Sequence, residues 1–202
     1  MIELNGYKVN PALLVVDMQN GFCSNGGSYD KLGIDLSHYQ KIIPNIKRAI
    51  SHCRKIGIPV FYTQAVREAS GIDLFTRRHQ MLPKKREERI KKVPICVRGT
   101  WDSEIIAELK PSNEDHVVIK RRDSAFQDTE LDLWLRSLHV NAILFCGADT
   151  SVCVDNSVRD AFNRGYDVVV LSDGVASMHP EFHNATLETI KEWYGLVMRP
   201  KN

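Results

Sequence analysis

Ala142-Ile143-Leu144-Phe145-Cys146, followed by Gly147-Ala148-Asp149-Thr150-Ser151-Val152-Cys153, is the stretch on which the fold turns. Five apolar residues without a polar break suit a strand buried on both faces, as in a parallel sheet. Gly147 permits a tight exit from that strand. The next stretch, 153–163, has helical character and closes on Arg164-Gly165, a helix-stop signal, before another apolar run begins. The unit is strand, turn, helix, strand, with a cysteine at the first position of the helix.

The same grammar extends in both directions. β-rich runs recur at 12–16, 59–63, 116–120, 142–146, 167–171 and 195–198. Between them, 39–55 carries Ile42, Ile43, Ile46, Ala49, Ile50 and Cys53 on a 3.6-residue stripe, and Gly57 stops it. A shorter helix is expected over 103–109, with Pro111 behind it. Another is expected over 129–138, with Leu131, Leu133, Trp134 and Leu138 on its apolar side. A last one is expected over 180–192, opening on Pro-Glu. Strands alternating with helices predict α/β architecture around a mostly parallel sheet. One stretch breaks the rhythm: 77–92 holds Arg77-Arg78-His79, Lys84-Lys85-Arg86 and Lys91-Lys92, with Glu87 and Glu88 interposed. It reads first as a solvated helical insertion, then as an active-site lid or subunit contact. A nucleic-acid patch ranks third, because no aromatic residues interleave with the charges.

Bulk properties narrow the class. The 202 residues suit one domain, 1–202, large enough for a sizeable core. A formal net charge of +2 is too weak to argue for nucleic acid. The five cysteines, Cys23, Cys53, Cys96, Cys146 and Cys153, are odd in number and form no CxxC pair, so neither a disulfide framework nor a zinc ribbon is expected. The first residues lack a signal peptide's apolar core, and no run is long enough to span a bilayer. A cytoplasmic, reducing setting is the expectation.

In open α/β sheets ligands bind beyond the carboxyl ends of the strands. The first strand delivers Asp17 there, the third delivers Lys120, and the fourth leads through its turn to Cys153. A helix N-terminus carries partial positive charge and unpaired N–H donors, which favours a thiolate; a lysine nearby would favour it further. The same donors can hold an oxyanion, each worth about 2.7–4 kcal/mol. Asp17 suits a general base for the thiol and a general acid for a leaving amine. Lys120 suits an electrostatic partner that holds the two charges together. Each also has a plain alternative: a buried cysteine, a capping aspartate, a strand-end lysine. Cys146 reads as core. Cys23 lies near Asp17 with no evident partner. Asp173-Gly174 reads as a turn that could floor the pocket. His179 and His183 share a helical face but lack a carboxylate arranged with them, so exposed helix residues fit better than metal ligands.

Taken together, these blocks resemble the isochorismatase-like cysteine hydrolase superfamily. The resemblance rests on Leu13-Leu14-Val15-Val16-Asp17-Met18-Gln19-Asn20 with Phe22, and on Gly99-Thr100-Trp101 with Glu104-Ile105. It continues in Lys120 with Ser124-Ala125-Phe126 and Thr129, in Gly147–Val154, and in Arg159-Asp160-Ala161 and Gly165-Tyr166. It implies a three-layer α/β/α sandwich with a six-stranded parallel sheet, and the triad Asp17, Lys120, Cys153. It also implies a cis peptide between Ala148 and Asp149 that aims the Asp149 and Cys153 N–H groups at the oxyanion. A homodimer or homotetramer is implied as well. Phe22 and Trp101 are candidate pocket walls, or else core aromatics. Phe126 joins them as a pocket candidate. Arg67, Arg78 and Arg122 are candidates for a substrate carboxylate, or else solvated surface residues. Asp149 could turn away from the substrate or meet its amide N–H.

Members of the superfamily differ in substrate. Nicotinamidases carry histidine ligands after the second strand. Here that region reads Thr63-Gln64-Ala65-Val66-Arg67-Glu68, so no metal and no other cofactor is expected. Isochorismatases cleave a vinyl ether and commonly lack the cysteine. The motifs are closest to N-carbamoylsarcosine amidase, ureidoacrylate amidohydrolase and biuret hydrolase. This predicts hydrolysis of a small amide or ureide through a thioester, with release of ammonia. The alternatives are the vinyl-ether or nicotinamidase chemistries, or a non-catalytic binding protein on the same fold. A magnesium-dependent phosphohydrolase would need a second acid at Gln19, and a dehydrogenase would need GxGxxG after the first strand.

Overall fold

The apolar runs become the centre of a parallel sheet. The structure, a computed structural model, describes residues 1–4 and 6–200, without the side chains of Leu4 and Arg78. In chain order the strands are β1 (Ile2–Leu4), β2 (Tyr7–Val9), β3 (Pro11–Val16), β4 (Val60–Ala65), β5 (His116–Lys120), β6 (Ala142–Ala148), β7 (Asp167–Ala176) and β8 (Leu196–Met198). The helices are α1 (Asn20–Cys23), α2 (Ser28–Lys31), α3 (Ser37–Lys55), α4 (Phe75–Arg78), α5 (Lys84–Lys92), α6 (Leu131–Ser137), α7 (Asp155–Asn163) and α8 (Pro180–Trp193). β1 and β2 form a small antiparallel hairpin for which the sequence carries no clear signal. The other six strands lie in the order β5-β4-β3-β6-β7-β8, all parallel.

Alternation along each strand builds two cores. In β3, Leu13 and Val15 face one side, packing with Tyr39, Ile42, Ile46 and Ile50 of α3. Ala12, Leu14 and Val16 face the other, with Leu131 and Leu135 of α6, Val158 and Ala161 of α7, and Ile190 of α8. With both faces covered, every residue of β3 is buried, which is why the run reads as unbroken apolar sequence. The layers are α/β/α. The order of connection reverses between β3 and β6, and that switch point opens a crevice at the strands' carboxyl ends.

Four local expectations change. Residues 103–109 form two 3-10 turns, Trp101–Ser103 and Ala107–Leu109, not a helix. Their backbone is taken by the Asp17 exit: Asn20 N–H donates to Glu104 O (2.9 Å) and Ile106 N–H to Met18 O (3.0 Å). The helix expected over 129–138 starts at Leu131 and buries Leu131 and Leu135, one turn apart; Leu133 is exposed. The turn carrying Cys153 is wound as a π-turn, Thr150–Val154, ahead of α7. Asp173 and Gly174 lie inside β7, where the register against β6 shifts, and not in a turn.

Candidate active site

Asp17 ends β3 in the left-handed region, at φ 50°, a conformation that Asp tolerates better than a β-branched residue. Its N–H donates to Thr63 Oγ1 (3.0 Å), and the Thr63 hydroxyl donates to Asp17 Oδ1 (2.5 Å). Thr63 thus fixes both the backbone and the carboxylate. The other oxygen, Oδ2, stands 2.8 Å from Lys120 Nζ, with both side chains buried. It accepts no well-aligned hydrogen bond among the described residues, so it keeps lone-pair capacity toward the site. Lys120 Nζ also donates to the carbonyls of Arg122 (3.0 Å) and Asp123 (2.8 Å). An ammonium has three protons, and here each has a direction to go. That satisfaction is what a buried ion pair needs to offset its desolvation. Burial works against the lysine's charge, yet Asp17 and then Cys153 hold Lys120 above its ordinary value.

Cys153 approaches this pair from β6. Gly147 sits at φ 113° with its Cα against the Val16 backbone, where any Cβ would collide with main-chain atoms. The peptide Ala148–Asp149 is cis. The Asp149 carboxylate then ties the turn down. It accepts from Ser151 N–H (2.9 Å), Ser151 Oγ (2.8 Å), Tyr39 Oη (2.8 Å) and Met178 N–H (3.1 Å). The Asp149 side chain is therefore a bracket joining the cysteine turn to α3 and to the segment before α8. The Cys153 thiol is only partly exposed. Burial pushes it well above its ordinary range; Lys120 pulls it down, and Asp17 and Asp123 push it up again. Burial thus acts against the helix end and the lysine, both of which favour the thiolate.

Asp17, Lys120 and Cys153 open onto one cavity of about 840 Å³, within the range of small-molecule sites. Of the wall candidates named from the sequence, Phe22 and Arg122 line it, as do Ala148 and Asp149. Trp101 and Phe126 do not. Trp101 is half exposed on its 3-10 turn and offers its carbonyl to Asn20 Nδ2 (2.9 Å). Phe126 is turned into the core on the α6–α7 side, 6.0 Å from the Tyr166 ring, because Ala125 N–H is drawn to Ser157 Oγ (2.9 Å). Arg67 lines the cavity; the side chain of Arg78 lies outside the described residues.

The basic insertion is not simply solvated. Pro83, Arg86, Arg89, Ile90 and Val93 all line the cavity; Arg86, Arg89 and Ile90 recur at helical spacing on one face of α5, and Val93 follows its last turn in extended conformation. Arg86 reaches Asp123 (2.6 Å) and stacks over Phe75, 4.3 Å from the ring centre. Sequence reasoning does not single out Thr63, Tyr29, Asp123 or Arg86. Of these, only Arg86 carries a signal, the period shared with Arg89, Ile90 and Val93. Cys23 is buried in the core, with its thiol pushed up to about 12 by burial and then by Asp17. His179 lines the cavity, whereas His183 Nδ1 meets Thr150 Oγ1 (3.0 Å). Among the described residues, no three His, Cys, Asp or Glu side chains gather as metal ligands.

Comparison with known proteins matches residues 11–200 to a family model described as an isochorismatase domain. The chain is 38% identical over 195 residues to the ureidoacrylate amidohydrolase RutB of Serratia proteamaculans, covering 92% of this chain and 78% of that one. Among solved structures it is similar to an isochorismatase family protein from Desulfovibrio vulgaris (TM-score 0.80, 28% identity, 94% of each chain). It is also similar to N-carbamoylsarcosine amidase from Thermoplasma acidophilum (TM-score 0.72, 28% identity, 94% of this chain and 96% of that one).

Proposed function

Because the chain belongs to the isochorismatase family, we propose that it is a cysteine amidohydrolase that opens the C–N bond of a small ureide. Its reaction class is hydrolysis of C–N bonds other than peptide bonds, as in the relatives named ureidoacrylate amidohydrolase. The observation that carries the reading is the buried Asp17–Lys120 pair (2.8 Å) sharing one cavity with the Cys153 thiol. A vinyl-ether hydrolase has no use for a thiol held beside a base. A binding protein has no use for a desolvated ion pair aimed into its cavity.

In the proposed mechanism Cys153 keeps its proton until a substrate fills the cavity. Asp17 takes that proton as Sγ attacks the ureido carbonyl. The backbone N–H groups of Asp149 and Cys153 receive the developing oxyanion. The C–N bond breaks, and Asp17 passes its proton to the departing amine nitrogen. Water then adds to the carbamoyl thioester and gives its proton to Asp17; the C–S bond breaks and the proton returns to the sulfur. The released carbamate decomposes to ammonia and carbon dioxide. Lys120 stays an ammonium throughout and holds Asp17 in place as its counter-ion at 2.8 Å, with donors committed to the carbonyls of Arg122 and Asp123.

The test is ammonia release by wild type and Cys153→Ala across carbamoyl-amino acids, ureidoacrylate, biuret and nicotinamide, with and without chelator. Turnover of ureides, lost by a factor on the order of 10⁴ or more in the variant, is expected. Mass spectrometry of a quenched reaction should find a carbamoyl group on Cys153. Equal turnover by both proteins would remove Cys153 from the role.

A further inference from the structure

Two tyrosines stand side by side on one wall of the cavity, and their hydroxyls are used differently. Tyr29 and Tyr39 both line it, with ring centres 6.2 Å apart. Tyr39 is buried, and its hydroxyl donates to Asp149 Oδ2 (2.8 Å). Tyr29 is half-buried, and its hydroxyl makes no hydrogen bond among the described residues. Unlike Asp17 Oδ2, that oxygen is not sealed in, so it is open to the cavity. Tyr29 has little freedom to find a partner elsewhere. Ser28, the residue before it, donates its N–H to Asp102 Oδ1 (2.8 Å). The Tyr29 carbonyl accepts from Leu32 N–H (3.1 Å) and Ile34 N–H (3.0 Å). Phe22 meets its ring edge-on, with centres 4.8 Å apart. A tyrosine hydroxyl taken this far from water ordinarily has a partner, and here the partner is missing.

The phenol keeps its proton. Burial holds it far above the ordinary tyrosine range, and the charges of Asp149 and then Cys153 raise it further, which also sets the oxygen near the nucleophile's turn. A ureide entering the cavity brings a carbonyl and several N–H groups. The carbonyl has the backbone N–H groups of Asp149 and Cys153. The substrate's own N–H groups need acceptors, since one left unpaired in a closed cavity is costly. Most acceptors around the cavity are committed. Asp149 accepts from Tyr39, Ser151 and Met178. Asp123 pairs with Arg86, and Glu68 with Arg98 and Arg121. Ser151 Oγ lies between Asp149 (2.8 Å) and Ser177 (3.1 Å). Asp17 Oδ2 is reserved for the thiol proton, and guanidinium groups can only donate. That leaves Tyr29 Oη as the open acceptor on the wall formed by Phe22, Tyr29 and Tyr39.

We propose that Tyr29 touches the substrate, its hydroxyl oxygen accepting the N–H of the inner ureido nitrogen, the one whose bond to the carbonyl breaks. The inference rests on Cys153 as nucleophile of a ureide hydrolase. With that N–H held at Tyr29, the lone pair that develops on the nitrogen as the C–N bond lengthens points away from Tyr29 and is free for the Asp17 proton. No bond to Tyr29 forms or breaks. Tyr29 thereby selects ureides whose inner nitrogen carries a hydrogen over those in which that nitrogen carries two carbon substituents.

The test separates this from the catalytic reading by measuring binding without turnover. Calorimetric titration of Cys153→Ala with N-carbamoylglycine and with N-carbamoylsarcosine compares two ligands that differ by one methyl group on the inner nitrogen. Adding Tyr29→Phe keeps the ring against Phe22 and Tyr39 and removes the oxygen alone. It should weaken N-carbamoylglycine about three- to tenfold and leave the affinity for N-carbamoylsarcosine unchanged. A purely structural hydroxyl would weaken both ligands alike. That result, no loss for N-carbamoylglycine, or binding of neither ligand would overturn the proposal. If wild type hydrolyses neither ligand while Tyr29→Phe still discriminates between them, the catalytic reading fails and the N–H contact stands.

Discussion

The rim built from β3, β5 and β6 and the cover built from α5 meet at the same cavity and are held in opposite ways. On the rim, Asp17 and Lys120 are buried, and their polar atoms are tied to Thr63, Arg122 and Asp123. On the cover, α5 buries none of its residues, and Arg86 anchors it through one partly exposed ion pair and one ring face. The proposed chemistry falls where geometry is over-determined, and the cover is a helix that can be altered at little cost. The joint between them is Asp123, whose carboxylate takes Arg86 and whose carbonyl takes Lys120.

The sharpest way to break this contrast is Lys120→Met. It leaves the Asp17 carboxylate buried without its cation, and should cost about 3–5 kcal/mol of stability as well as activity. The sign with pH is fixed. The Lys120 value is raised in the folded state, so its contribution is whole below the unfolded value near 10.4 and fades only as pH climbs past it. The deficit, read by urea unfolding, should therefore be flat between about pH 6 and 9. A loss under 1 kcal/mol would put the rim in the same class as the cover.

Thr63→Val comes next. It strips a hydrogen-bond partner from both Asp17 N–H and Oδ1 and should cost about 1–3 kcal/mol, with a lower kcat that Thr63→Ser restores. The resting state of the nucleophile is tested by iodoacetamide in the absence of substrate. A thiol held above its usual range should react slowly at pH 7 and accelerate by roughly tenfold per pH unit, with no plateau near 8.5. A plateau below pH 8 would mean a resting thiolate. Arg86→Gln is the smallest effect. It should move stability by about 0.5 kcal/mol or less and raise KM a few-fold with kcat nearly kept. A collapse of kcat would show that Asp123 transmits the cover's position to Lys120.

Much of the rim was legible because strand ends are legible. Asp17, Lys120 and Cys153 each follow an apolar run, and a parallel sheet brings such ends to one edge. Thr63 was not legible, since one hydroxyl inside a β-rich run carries no mark of what it faces. Trp101 and Phe126 were misplaced for a related reason: their neighbours' hydrogen bonds, to Asn20 and Ser157, decide which way those segments turn. In α5 the charges obscured a period that was present, so a cavity wall read as a solvated face. Helix-end and lysine effects on the thiol are visible in sequence, whereas the desolvation opposing them is not.

The contact of Gly147 with the Val16 backbone has a consequence for motion. With no side chain between them, the strand that ends in the base and the strand that leads to the nucleophile meet main chain against main chain. The span from base to nucleophile is therefore set by peptide backbone, which has no alternative rotamers into which it could relax.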